Sequence, residues 1–217
     1  MRSLLAMTFL CAVLPAAADN VLQVGDFSSG APGGPPPAPW TSGKVKPNVT
    51  VVQENPPGES GQWIHLVDDS AQDAATLVQR FTEIPAGRLS FRLHVVKSDA
   101  AIWFLLGDKE VSGRGDTVFS FKINARGGLM VGQDRQKIPD TSGAKAHFPG
   151  GQTYDLYCDF KPAGDGFAIE IGQKDGAVCF RGTTASAGSI NALGIRTHGE
   201  EMGSDFYVTD LSLVSEP

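Results

Sequence analysis

The sequence predicts an all-β domain, a two-sheet antiparallel β-sandwich of the jelly-roll kind, and three observations carry that reading. Short apolar–polar alternations of period two recur along the chain, as in Leu89–Val95 and Tyr154–Lys161. Turn residues separate them at short intervals, drawn from 26 glycines and 14 prolines among 217 residues. Sustained helical periodicity is missing. About a dozen strand candidates at such spacing, with no repeat longer than a hairpin, form the pattern of two packed sheets.

The chain opens MRSLLAMTFLCAVLPAAADN. Arg2, the apolar run Leu4–Leu14 and the small residues Ala16-Ala17-Ala18 predict a secretory signal peptide over residues 1–18, cut before Asp19. Residues 19–217 then form a single β-sandwich domain, secreted, periplasmic or held at the cell surface. The run is shorter than the roughly 20 apolar residues of a spanning helix, so membrane insertion is not expected.

Asn20–Phe27 reads as a first strand, and SSGAPGGPPPAPW after it as an extended surface loop anchored by Trp40. Val45–Gln53 is a strand broken at Pro47, beside the sequon Asn48-Val49-Thr50. Gln62–Val67 follows, and Ala74–Phe81 tilts to strand over helix through Thr76, Val78 and Phe81. Leu89–Val95 points Leu89, Phe91, Leu93 and Val95 inward and Ser90, Arg92 and His94 outward. Ala101–Leu106 is apolar on both faces, as in a central strand, with Trp103 assigned to the core. After a turn over Gly107–Gly115, Val118–Ala125 sends Lys122 and Asn124 outward. Leu129–Val131, a polar loop over Asp134–Gly151, and a hairpin through Gly150–Gly172 come next. Ala177–Arg181, Ser189–Thr197 and Ser204–Val214 complete the sheets.

The formal net charge is −6 and the pI about 5.2, which argues against nucleic acid and anionic membrane surfaces as partners. Cys158 and Cys179 remain after the leader. An oxidising compartment favours a disulfide. A meander would hold the two about two strands, roughly 10 Å, apart, beyond the ~7 Å limit for bridging. Both alternatives stay open. The sequence leaves the oligomeric state undetermined.

The opening VGDFSSG…PPPAPW resembles the start of jelly-roll carbohydrate-binding modules. The ending DFYVTDLSLV and the strand GGQTYDLYCDF are similar to segments of concanavalin-like and laminin-G-like domains. The resemblance implies glycan binding and a structural calcium held near Asp26 and Asp210. Two departures bear on the metal: Ser28 stands where the modules carry Glu, and Thr209 where they carry the first of an Asp pair. Calcium takes six to eight oxygens, so two carboxylates leave most of such a site to backbone and water.

A sugar site needs aromatic faces beside planar polar groups. Trp40 and Trp63 are the candidate platforms, and Arg92, His94, Lys122, Asn124, Tyr157 and Asp159 the candidate polar contacts. The predicted function is non-catalytic binding of a poly- or oligosaccharide. A polysaccharide lyase or glycoside hydrolase is the first alternative, in which Arg92, His94 and Tyr157 would converge in one cleft. Arg88–Arg92 (RLSFR) faintly resembles the R-[ST]-E-L-R strand of alginate lyases, without its acid. Asp155 and Asp159 share a strand face but lie roughly 13 Å apart, too far for a retaining pair at about 5–5.5 Å. A structural or protein-interaction sandwich is the second alternative. The four histidines show no metal-ligand spacing.

Overall fold

A computed structural model describes residues 19–43, 49–70, 72–97, 101–108, 117–123, 128–133, 136–174, 176, 178–197 and 203–216. The expected leader, Asn48, most of the Gly107–Gly115 turn, Asn124 and His198 lie outside the described residues. In chain order the strands are β1 (Thr41–Ser42), β2 (Val49–Gln53), β3 (Ile64–Asp68), β4 (Thr76–Ile84), β5 (Gly87–Lys97), β6 (Ile102–Gly107) and β7 (Thr117–Ile123). They continue as β8 (Leu129–Gln133), β9 (Gln136–Lys137), β10 (Gln152–Ala163), β11 (Gly166–Gln173), β12 (Val178–Thr183), β13 (Ile190–Thr197) and β14 (Ser204–Ser215).

Two antiparallel sheets of seven strands form. The front sheet runs β1-β4-β13-β6-β7-β8-β9, and the back sheet β12-β11-β10-β5-β14-β3-β2. Their inner faces interdigitate as period-two alternation requires. Phe91 of the back sheet stacks on Phe104 of the front at 4.3 Å between ring centroids, and Phe104 stacks on Phe121 at 4.8 Å. Leu89, Leu93, Leu156, Phe160 and Ile169 close the same core. The β10–β11 hairpin pairs in unbroken register from Leu156 opposite Gln173 to Ala163 opposite Gly166. Ala74–Phe81 is strand, within β4.

Two expected elements differ. Asn20–Phe27 forms only an isolated bridge, Asn20 to Val214. Val24 and Phe27 adopt left-handed φ values of 52° and 54°, which curl the chain so that Leu22 and Phe27 both enter the core. The turn lies hard against β14: the Leu211 amide donates to Gly25 O at 3.0 Å, and a Cβ on residue 25 would sit 1.7 Å from Leu211 O. The expected polar loop over Asp134–Gly151 also contributes β9 and buries Ile138 and Phe148.

Cys158 and Cys179 are buried and are not joined in a disulfide. Cys158 faces Ile171 on β11, which in turn faces Phe180 on β12, so β11 separates the two thiols.

Candidate functional site

Each sheet turns one face outward, and the two faces differ in chemistry. On the back sheet the outward residues bind one another. Arg88 straddles Asp159, its Nε donating to Oδ1 at 2.6 Å and its Nη2 to Oδ2 at 2.5 Å. Its guanidinium also covers the Tyr157 ring at 4.8 Å. The Tyr157 hydroxyl donates to Glu170 at 2.9 Å, and Arg181 Nε donates to the other Glu170 oxygen at 2.7 Å. Burial, with that bond to Glu170, pushes the Tyr157 hydroxyl up to about 12.

Arg92 is the hub of the next rows. Its Nη2 donates to Glu59 at 3.1 Å, its Nε lies 3.3 Å from Asp155, and its Nη1 lies 3.8 Å from Asp210. The same guanidinium covers the Trp63 ring at 4.9 Å. Beside it a cross-strand row runs Thr153–His94–Tyr207–His65. His65 stacks on Tyr207 at 3.9 Å and is held between Glu54 at 2.9 Å and Asp205 at 2.7 Å. Burial lowers the His65 pKa, but the hydrogen bonds to Asp205 and Glu54 outweigh it and leave the pKa raised. His94, whose Nδ1 lies 2.9 Å from Thr153 Oγ1, has its pKa lowered by burial against the pull of Glu59 and Asp205.

The front sheet is different. Strand register places three cross-strand rows on its outer face. One is Thr76–Arg196–Trp103–Lys122–Met130. The second is Thr41–Val78–Gly194–Leu105–Ser120–Gly132–Lys137. The third is Arg80–Ala192–Gly107–Thr117. Leu105, 1% exposed, and Ala192, 0% exposed, form a small apolar cluster apart from the main core, with Val78 and Trp103 packed against it. Residues this buried are covered, with Val78 and Trp103 among the side chains packed on them, and Gly194 and Ser120 stand on either side of Leu105 in its row. Trp103 itself is half-buried, and Lys122 Nζ lies 4.7 Å from the Trp103 ring centroid. Where the rows reach β1, an open cavity of about 480 Å³ is lined by Pro39, Thr41, Ser42, Gly43, Thr76, Val78 and Arg80.

These placements revise the expected site. Trp40 is 4% exposed, and its Nε1 donates to Gln23 O at 3.1 Å and Val24 O at 3.2 Å, so it anchors the N-terminal turn and offers no platform. Trp63 is 0% exposed beneath Arg92, with no ring face open to a sugar. Arg92 and His94 come together, each bonded to a chain group, but Tyr157 turns away to Glu170 and Asp159 to Arg88. Lys122 lies on the opposite sheet. Asn124 is outside the described residues. Trp103 is not a core residue: Ile102, Phe104 and Leu106 enter the main core, so Trp103 and Leu105 point out. AIWFLL is apolar at both parities, so alternation within it carried no signal of this. Sequence reasoning also missed Tyr207, His65, Glu59 and Arg196.

Asp26 and Asp210 do not form a calcium cage. Asp26 Oδ1 accepts the Ser28 amide at 3.1 Å and its hydroxyl at 3.0 Å, while Asp210 faces the Arg92 guanidinium. The Phe27 carbonyl beside Asp26 accepts Gln53 Nε2 at 2.5 Å. Among the described residues no group of three or more His, Cys, Asp or Glu is placed to hold a metal ion.

No family model matches the sequence, and no curated protein does. Solved structures match its fold. The cellulose induced protein Cip1 aligns with 88% of this chain and 96% of its own at a TM-score of 0.59 and 15% identity. The exoplasmic/lumenal domain of VIP36, in a form bound to Ca2+ and Man3GlcNAc, aligns with 92% of this chain and 91% of its own at a TM-score of 0.55 and 9% identity. A sialidase aligns with 81% of this chain at a TM-score of 0.60 and 15% identity, and this chain spans 17% of the sialidase's length. The fold is the concanavalin-like β-sandwich that the terminal strands resemble.

Proposed function

We propose that this protein is an exported, non-catalytic carbohydrate-binding domain that holds a glycan on the outer face of the front sheet. The observation that carries this reading is Trp103, which points out of the main core and stands half-buried between Arg196 and Lys122 in one cross-strand row. An aromatic ring beside hydrogen-bond donors is what sugar C–H surfaces and hydroxyls require. The like-folded VIP36 domain, solved with Man3GlcNAc, adds support for a saccharide partner. The leader Met1–Ala18 supports export.

Among the described residues the three rows hold no His, Tyr, Asp or Glu, the groups that acid–base work draws on. On the back sheet Arg92 is surrounded by Glu59, Asp155 and Asp210, so its charge is already met there.

A retardation screen of residues 19–217 on soluble and insoluble polysaccharides tests the proposal, with unsaturated and reducing-end products followed in the same mixtures. Retention without products, weakened in Trp103→Ala, is expected. Product formation would replace the proposal with a lyase or hydrolase. Silence on every glycan would leave a structural or protein-interaction sandwich.

A further inference from the structure

A recess lies on the outer face of the back sheet, where β12, β11 and β10 run side by side. It is an open cavity of about 510 Å³. Its floor is Ala168, which stands between Lys161 and Thr183 in one cross-strand row. The next row supplies a wall, with Asp159 and Glu170 directly opposed on adjacent strands. The loop after β9 supplies the rim: the Thr141 amide donates to Arg181 O at 2.8 Å, and Asp140 Oδ1 accepts the Arg181 amide at 3.1 Å. Glu216, whose own amide donates to Ala86 O at 3.2 Å, lines the side toward β5.

Like charges directly opposed across two strands repel, and arginines on both flanks of this pair offset that. Arg88 meets both Asp159 oxygens, at 2.6 and 2.5 Å, and Arg181 meets one Glu170 oxygen at 2.7 Å. The bond from Arg181 holds the Glu170 carboxyl below its usual range, so the group is ionised at neutral pH. Each carboxylate accepts two hydrogen bonds from the described residues, Glu170 taking its second from Tyr157, and a carboxylate has room for about four. These acceptors are held in place before any ligand arrives. Lys161 and Thr183, both exposed, add donors across the floor. An anion entering the recess meets Asp159, Glu170 and Glu216, and a cation meets Lys161 and Arg181. A neutral ligand that both gives and takes hydrogen bonds suits both sets. Adjacent hydroxyls of a sugar ring do so, and a C–H face of the ring rests on the Ala168 methyl.

We infer that this recess is a second saccharide site, taking a neutral, hydroxyl-bearing sugar ring between Lys161, Thr183 and the Asp159–Glu170 pair. It lies on the sheet opposite Trp103, so the inference goes beyond the site proposed above and is tested apart from it. Two outer faces that point in opposite directions cannot share one short stretch of chain. A protein with both sites links two glycan chains and gains avidity on a polysaccharide surface.

The test is magnetic resonance titration of the isotope-labelled full protein with the methyl glycosides of glucose, mannose, galactose, xylose and glucuronic acid. Light scattering with soluble mannan, xylan and β-glucan then reads cross-linking. A neutral glycoside should shift the amide resonances of Lys161, Ala168 and Thr183, with an affinity that salt leaves unchanged. Methyl glucuronide should bind there several-fold more weakly than the neutral glycoside. Lys161→Ala should weaken the recess about fivefold, as for one lost hydrogen bond. Ala168→Gln, which fills the floor, should abolish those shifts with circular dichroism unchanged. The parent should raise the scattering of a polysaccharide that it binds, and Ala168→Gln should remove most of that rise. Shifts confined to the front sheet would overturn the inference and leave the site at Trp103 standing. Shifts confined to the recess would uphold the inference and remove the site at Trp103. Tighter, salt-sensitive binding of methyl glucuronide in the recess would overturn the neutral class of ligand. No shift with any glycoside and no added scattering with any polymer would remove both sites.

Discussion

The Lys122 ammonium lies 4.7 Å from the centroid of the Trp103 ring, and the two residues are directly opposed on adjacent strands. Each supports the other: the cation sits on the negative face of the indole, and the indole gives the long lysine a fixed place. The pair is outward, with Arg196 and Met130 on either side of it in the row, so a ligand laid along the row meets an aromatic edge and a positioned charge together. Trp103→Ala is expected to weaken glycan binding about tenfold, corresponding to roughly 1–1.5 kcal/mol for a lost aromatic contact, measured by calorimetry on the tightest-binding polymer.

Arg92 and Trp63 form the matching pair on the other face, where the ring is covered rather than presented. Trp63→Ala should cost about 3–5 kcal/mol of stability, as for other large-to-small changes of a buried aromatic. Arg92→Ala should cost more than a surface ion pair, because it uncovers the indole and leaves Glu59, Asp155 and Asp210 facing one another. Chemical denaturation measures both, and neither should change glycan affinity per folded molecule.

The two histidines that flank Tyr207 should shape stability against pH in opposite senses. The raised pKa of His65 means that its contribution is complete below the unfolded value near 6.5 and is lost as pH rises through its folded pKa. The lowered pKa of His94 means that its contribution is complete above 6.5 and is lost as pH falls toward its folded value. Thermal melts from pH 5 to 9 should show the alkaline decline reduced in His65→Gln and the acid decline reduced in His94→Gln. Glu54, Asp205, Tyr207 and Glu59 are the charged or titratable groups that face the pair.

Gln53 ties the N-terminal turn to the back sheet. Its Nε2 donates to Phe27 O and to Gln62 Oε1, and the Gln62 carbonyl accepts Thr209 Oγ1. Its Oε1 has no hydrogen-bond donor and rests where a Cβ on residue 30 would stand, 2.0 Å from that position. Gln53→Ala should lower stability by about 1–3 kcal/mol through the lost buried bonds. Gly25→Ala should cost about 2 kcal/mol or more, since its Cβ would press on the Leu211 carbonyl. EDTA should leave the melting temperature of the parent protein unchanged; a fall that calcium restores would contradict this account of the turn.

Burial pushes the thiols of Cys158 and Cys179 above their ordinary pKa, which disfavours the reactive thiolate. A thiol reagent should find neither cysteine in the native protein and both after denaturation. Recovery of none in denaturant would mean a disulfide.

Much of the fold was legible because the strands obey a strict two-residue period. The alternations in Leu89–Val95, Val118–Ala125 and Tyr154–Phe160 told which side of each strand meets the core, and with it the outward positions of Arg92, His94, Lys122, Tyr157 and Asp159. Asn20–Phe27 was misread because its apolar residues alternate like a strand, while the left-handed turns at Val24 and Phe27 depend on the close passage of Gly25 over Leu211. Trp103 was hidden by its neighbours: a run that is apolar on both sides gives no contrast between core and surface. Its exposure follows only once Gly194 and Ser120 are known to stand beside its strand. The saturation of Arg92 was not legible at all, because Glu59 reaches it from a loop 33 residues away in sequence.

The most direct test of the proposed site at Trp103 is acrylamide quenching of tryptophan fluorescence with and without bound polysaccharide. Trp40 and Trp63 are buried, so Trp103 supplies the accessible emission of the three tryptophans. The account predicts that glycan shields that emission, and that Trp103→Phe removes the quenchable component together with its protection. Full glycan binding in Trp103→Ala, with quenching of the parent unchanged by ligand, would place the glycan elsewhere and contradict it.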